Sequence, residues 1–148
     1  MSTRREYAEK FSGRLFGVLD WNDFSRLWDG LRRRPDGWYV RDFRRRVLPA
    51  RPMPVDDFSA WLEETEDFLR KRHREDYCGF LYVDDKHEPS FIKVFDPRKM
   101  GSACGCGGEV TPRWTVSRAR PGLPEESAEE AKNGEKGPSF LRRIFGGG

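Results

Sequence analysis

Between Val55 and Asp96 the spacing of apolar residues switches once, from helical to extended, and that switch limits what the chain can fold into. In VDDFSAWLEETEDFLRKRHRED, Phe58, Trp61, Leu62, Phe68 and Leu69 form one stripe at helical spacing. Asp56 and Asp57 stand at its start and Arg70, Lys71, Arg72 and Arg74 at its end, the order a helix dipole favours. YCGFLYVDD and SFIKVFDP follow, rich in aromatic and β-branched residues and separated by the turn-like DDKHEP, which predicts a β-hairpin. In the first strand Cys78, Phe80 and Tyr82 alternate with Tyr77, Leu81 and Val83. Both faces are apolar, as in a central strand. The second sets Phe91, Lys93 and Phe95 against Ile92 and Val94, closer to a half-exposed strand.

Upstream, Phe24, Leu27, Trp28 and Leu31 in NDFSRLWDGLRRR recur on one helical face, with Asn22 placed to cap it. Tyr7, Phe11, Leu15 and Leu19 also keep helical spacing. Gly13 and Gly17 each cost about 1 kcal/mol in a helix interior, so a helix that ends early before an extended RLFGVL is the competing reading. RRPDGWYVRDF reads as a Pro-Asp-Gly turn feeding a strand, with Trp38, Val40 and Asp42 on one face and Tyr39, Arg41 and Phe43 on the other. LPARPMP is a proline-rich connection, and Trp114 and Val116 in TPRWTVSRARP mark a last strand. The order predicts an α+β fold: a small, mostly antiparallel sheet of about four strands with two or three helices packed on it.

Of 148 residues, 36% are hydrophobic and 36% charged, which would suit a disordered chain were it not for five Trp and eleven Phe. A core built from a few large rings is therefore expected. After Pro121 the composition changes abruptly, and PGLPEESAEEAKNGEKGP has almost nothing to bury. The expected organisation is one globular domain over 1–121, a disordered acidic linker over 122–137 and a short amphipathic docking tail over 138–148. No internal repeat is present.

The net charge of +3 demands no anionic partner, but its distribution is uneven. Eight arginines fall between Leu31 and Arg51, interleaved with Trp38, Tyr39 and Phe43, a pattern that can grip phosphates while rings stack on bases. No nucleic-acid module accompanies them, and a solvated helix end and strand edge accounts for the same residues. Nucleic acid is therefore not the favoured partner. No apolar run approaches the roughly 20 residues of a membrane span, and MSTRREYAEK lacks the apolar stretch of a secretory signal. The expected location is the cytoplasm, with peripheral attachment at the inner membrane open to the tail.

GSACGCGG packs Cys104 and Cys106 into a glycine-rich run. Three cysteines are an odd number, which speaks against a secreted disulfide framework and leaves thiols, thiolate ligands or catalytic groups. A tetrahedral zinc site needs four N or S ligands, and Cys78, His73 and His87 are the candidates to complete a set begun by Cys104 and Cys106. A Cys104–Cys106 disulfide closes a very small, strained ring that is readily reduced, which suits a thiol-redox role only where a base or a helix N-terminus lowers the pKa of one thiol. The run matches neither glycine-rich phosphate-binding pattern. A flexible connection between the FIKVF and RWTVS strands is the simpler reading. ACGCGG locally resembles the C-terminal Cys-Gly-Cys-Gly motif of the A-type iron–sulfur carrier family, over six residues. The resemblance implies Cys104 and Cys106 as cluster ligands shared across a dimer. The family's third cysteine, further upstream than Cys78, has no counterpart here.

In PSFLRRIFGGG, Ser139 can cap a turn or two, Phe140, Leu141, Ile144 and Phe145 fall on one side, and Arg142 and Arg143 on the other. So short a helix is unstable alone in water and would order on a surface. The expected occupant is the groove of a partner protein or a membrane face that favours the two arginines. Folding back on its own domain is the competing reading. The leading expectation is a non-enzymatic cytosolic adaptor or accessory protein tethered by this tail, and the alternative is thiol-redox or metal binding, zinc or iron–sulfur, at Cys104 and Cys106.

Overall fold

The computed structural model describes residues 4–100 and 111–122, through which the chain runs α1 (Arg4–Phe11), β1 (Phe16–Gly17), α2 (Trp21–Arg33), β2 (Tyr39–Asp42), α3 (Val55–Arg72), β3 (Leu81–Val83), β4 (Phe91–Val94), α4 (Pro97–Met100) and β5 (Trp114–Ser117). Cys104, Cys106 and the tail residues Phe140, Leu141, Arg142, Arg143, Ile144 and Phe145 lie outside the described residues, as does the acidic linker past Gly122.

The strands form one antiparallel sheet in the order β1-β3-β4-β5-β2. The α+β class is as the residue spacing predicts, with five strands in place of about four. The added strand is the two-residue β1, which pairs Phe16 with Val83 and Gly17 with Tyr82. Of the two readings of the N-terminal stretch, the early-ending helix is the observed one: α1 stops at Phe11 and the chain becomes extended after Gly13. The fourth helix is the single turn of α4.

The sheet carries helices on both faces. Ile92, Val94, Trp114, Val116, Leu81 and Val83 meet Phe24, Trp28 and Leu31 of α2 and Phe58, Leu62 and Leu69 of α3 in the main core. Large rings dominate it, with Phe24 stacked on Trp28 at 4.5 Å. Two of the buried indoles keep a hydrogen bond: Trp28 Nε1 donates to the Leu62 carbonyl at 2.9 Å and Trp38 Nε1 to that of Arg34 at 2.8 Å. On the opposite face α1 lays Tyr7 and Phe11 against Phe91. The Tyr7 hydroxyl and Thr115 Oγ1 share a buried hydrogen bond of 2.7 Å. This is why Phe91 is fully buried and β4 is covered on both sides, contrary to the half-exposed strand its alternation suggests.

Two local expectations need correction. The cap of α2 is Asp20, not Asn22: Asp20 Oδ1 accepts from the Asp23 N–H at 2.8 Å, so the helix begins at Trp21. The alternation through Tyr77–Val83 breaks at Gly79, whose φ of +101° is a left-handed conformation open to glycine. Cys78, Phe80, Leu81 and Val83 therefore all enter one core, while Tyr77 is exposed.

No helix among the described residues is long and apolar enough to cross a membrane.

Candidate functional site

Val94 pairs with Trp114, so the chain leaves β4 and re-enters β5 at the same end of the sheet, with residues 101–110 between. Both stems of that excursion are pinned. On the way out, Asp96 Oδ1 accepts from the Arg98 N–H at 3.0 Å, and its carboxylate takes Arg72 Nε and Nη2 at 3.0 and 3.1 Å. Burial works against the charge of Asp96, but these donors outweigh it and hold the carboxyl below its ordinary range. On the way back, the Arg113 N–H donates to the Val94 carbonyl at 2.8 Å, while its guanidinium pairs with Asp42 and lies 4.2 Å over the Trp114 ring.

Of the three side chains named as completing ligands, Cys78 and His73 are engaged within the fold and His87 is exposed. Cys78 is only 1% exposed, its thiol pushed up to about 12 by burial first and by Asp20 second. At neutral pH it is a protonated, enclosed thiol, suited to packing rather than to ligation or attack. His73 ends α3 with Nε2 at 2.7 Å from the Tyr77 carbonyl and Nδ1 at 3.4 Å from Glu75, and its ring packs on Phe80. His87 sits in the β3–β4 turn, at the end of the sheet opposite the Val94–Trp114 pair. No group of three or more His, Cys, Asp or Glu able to hold a metal occurs among the described residues.

The fold withdraws Arg32, Arg41 and two of the rings from the basic stretch, while Arg33, Arg34, Arg44, Arg45, Arg46 and Arg51 stay exposed. Arg32 spans Asp29 and Glu66 at 2.9 and 2.7 Å. Arg41 is buried, 3.9 Å over the Phe43 ring, with Nη1 at 3.4 Å from the Gly122 carbonyl. Trp38 is 3% exposed, and Phe43 stacks against Phe11, so these rings serve packing instead of offering faces to bases.

Among the described residues, two open grooves stand out. A cavity of about 580 Å³ beside α3 is lined by Val40, Val47, Leu48, Met53, Phe68 and Trp114 among others, with Arg45, Glu64 and Arg113 at its margin. A larger one, about 940 Å³, lies between the C-terminal half of α2 and the β3–β4 turn, floored by Leu27, Leu31 and Val83 and walled by Arg33, Arg34, Lys86 and Arg118. The sequence pattern singled out Arg33 and Arg34 but not Lys86 or Arg118, which only strand pairing brings to them. The Arg118 N–H donating to the Ser90 carbonyl fixes the end of β5 beside the hairpin turn.

No family model, no curated protein and no solved structure matches the chain.

Proposed function

We propose that the protein is an accessory or adaptor protein of the cytoplasm that works by binding rather than catalysis, with its C-terminal segment as the tether. The observation that supports this reading is that the enclosed reactive groups are committed to holding the fold. Asp96 is bound by Arg72, Asp84 by Lys10 and Ser90, and Tyr7 by Thr115, while the Cys78 thiol is enclosed and its pKa raised. The binding element is then the amphipathic pattern of Phe140, Leu141, Ile144 and Phe145 backed by Arg142 and Arg143. It fits a partner's apolar groove, or a membrane face with peripheral attachment at the inner membrane. Deleting residues 137–148 is expected to leave the circular dichroism and urea midpoint unchanged while abolishing recovery of a partner and binding to anionic vesicles. Unchanged recovery by the deleted chain overturns the reading.

A second reading keeps a thiol or metal role for Cys104 and Cys106, supported by the pinned stems on either side of their segment. Two thiolates do not fill a zinc or iron–sulfur site. With Cys78 and His73 engaged in the fold, a second chain is the expected source of the rest. Metal analysis and thiol counting on anaerobically purified protein test it. A metal-free protein, together with wild-type behaviour of a Cys104→Ser/Cys106→Ser variant, removes it.

A further inference from the structure

The geometry points to the groove between α2 and the β3–β4 turn as a binding site for a phosphate-bearing ligand, held by Arg33, Arg34, Lys86 and Arg118. None of these four residues belongs to the tail. The cations come from three parts of the chain: the end of α2, the hairpin turn and the end of β5. Among the lining acids, Asp23 is already paired with Arg26 at 3.1 Å, which leaves Glu88 against Arg33, Arg34 and Lys86, while Arg118 has Asp36 beside it. The C-terminal end of α2 adds about half a negative charge, which one arginine more than offsets. The excess is positive, in a groove large enough for a small ligand.

Arg118 is the built element of the site. Its guanidinium lies 4.0 Å over the Trp38 ring and donates to the Asp36 carbonyl. A Cβ on Gly37 would stand 2.6 Å from Arg118 Nη1, and Gly37 has a φ of +85°. The Asp-Gly turn thus both accepts the guanidinium and leaves room for it. A planar guanidinium fixed in this way presents its charge at the wall of the groove without further ordering. Partial burial lowers the Arg118 pKa, Asp36 offsets part of this, and the like charge of Arg34 lowers it again. A phosphate between the two arginines relieves that repulsion. Arg33, Arg34 and Lys86 form no ion pair with a carboxylate among the described residues. An apolar floor of Leu27, Leu31 and Val83 beneath the cations suits a phosphate carried on a less polar body.

The test is calorimetric titration of the full chain with inorganic pyrophosphate at fixed ionic strength. It is repeated with vesicles of phosphatidylcholine carrying phosphatidylinositol 4-phosphate and with an oligothymidylate. Arg34 and Lys86 are exposed, so Arg34→Gln/Lys86→Gln should fold with an unchanged urea midpoint. Saturable one-to-one binding of pyrophosphate or of the vesicles, weakened at least tenfold in this variant and unchanged in a remote Arg14→Gln/Arg51→Gln variant, is the expected result. The stronger of the two arms identifies a free phosphate or a lipid headgroup as the source. Non-saturable binding, equal loss in both variants, or binding of the oligothymidylate alone overturns the proposal.

Discussion

Arg72 grips Asp96 through two hydrogen bonds, Nε to Oδ1 at 3.0 Å and Nη2 to Oδ2 at 3.1 Å, tying the end of α3 to the turn that leaves β4. The carboxylate is nearly enclosed, so its loss is felt in full: Asp96→Asn should cost about 2 kcal/mol at pH 7, as for hydrogen bonds to charged groups. The folded pKa lies below the ordinary value, so the contribution is complete above the unfolded pKa of about 3.9 and is lost as pH falls through the folded one. Urea midpoints should differ at pH 7 and converge below pH 4. A gap that persists at low pH contradicts this assignment.

Tyr7 holds α1 to the sheet by its hydroxyl as well as its ring. Tyr7→Phe keeps the packing against Phe91 but strands the buried Thr115 hydroxyl, at a cost of about 1 to 2 kcal/mol. Tyr7→Ala removes the ring too and should cost about 3 to 5 kcal/mol. Hydrogen exchange should show the α1 amides losing protection ahead of those in α3. Burial chiefly raises the phenol's pKa, so its ionisation should come at higher pH than that of a free tyrosine while the protein stays folded.

Cys78 offers a pH dependence of opposite sign. Its folded pKa of about 12 exceeds the unfolded value of about 8.5, so the folded state keeps a proton that the unfolded state releases. Its contribution to stability is intact below pH 8.5 and declines as pH rises towards 12. In a Cys104→Ser/Cys106→Ser background the remaining thiol should resist a disulfide reagent at pH 8 until urea unfolds the chain. Prompt reaction under native conditions contradicts its enclosure.

Gly37 should tolerate no side chain. Gly37→Ala meets both an unfavourable positive φ, at about 1 to 2 kcal/mol, and the Arg118 guanidinium. The variant should lose stability by at least that amount. It should also weaken pyrophosphate binding, because Arg118 must move off the Trp38 ring.

The helices were legible because α2 and α3 each bury one stripe, and Phe24, Trp28 and Leu31 or Phe58, Leu62 and Leu69 state the period plainly. The caps were less so: Asp20 and Asn22 are equally good capping residues, and the choice falls to Trp21, whose ring packs on Phe24 and Phe80 from inside the helix. Alternation misled at Gly79, where one left-handed residue turns Phe80 and Leu81 to the same core. It misled again at Phe91, because what covers a strand's second face is decided by a helix some eighty residues away. The groove was half legible. Arg33 and Arg34 stand out as charges, but Lys86 and Arg118 join them only through the pairing of β3, β4 and β5, which no local pattern encodes. The readings of Cys104, Cys106 and the tail fall outside the described residues and stand as proposals.

The central claim is that the C-terminal segment binds something other than its own domain. A photo-crosslinking phenylalanine analogue placed at Phe145 of the full chain, activated in cells, tests it most directly. Adducts to another protein or to lipid, lost when Arg142 and Arg143 are replaced by glutamate, are the predicted result. Adducts formed solely within the chain, to residues of 4–122, would contradict it.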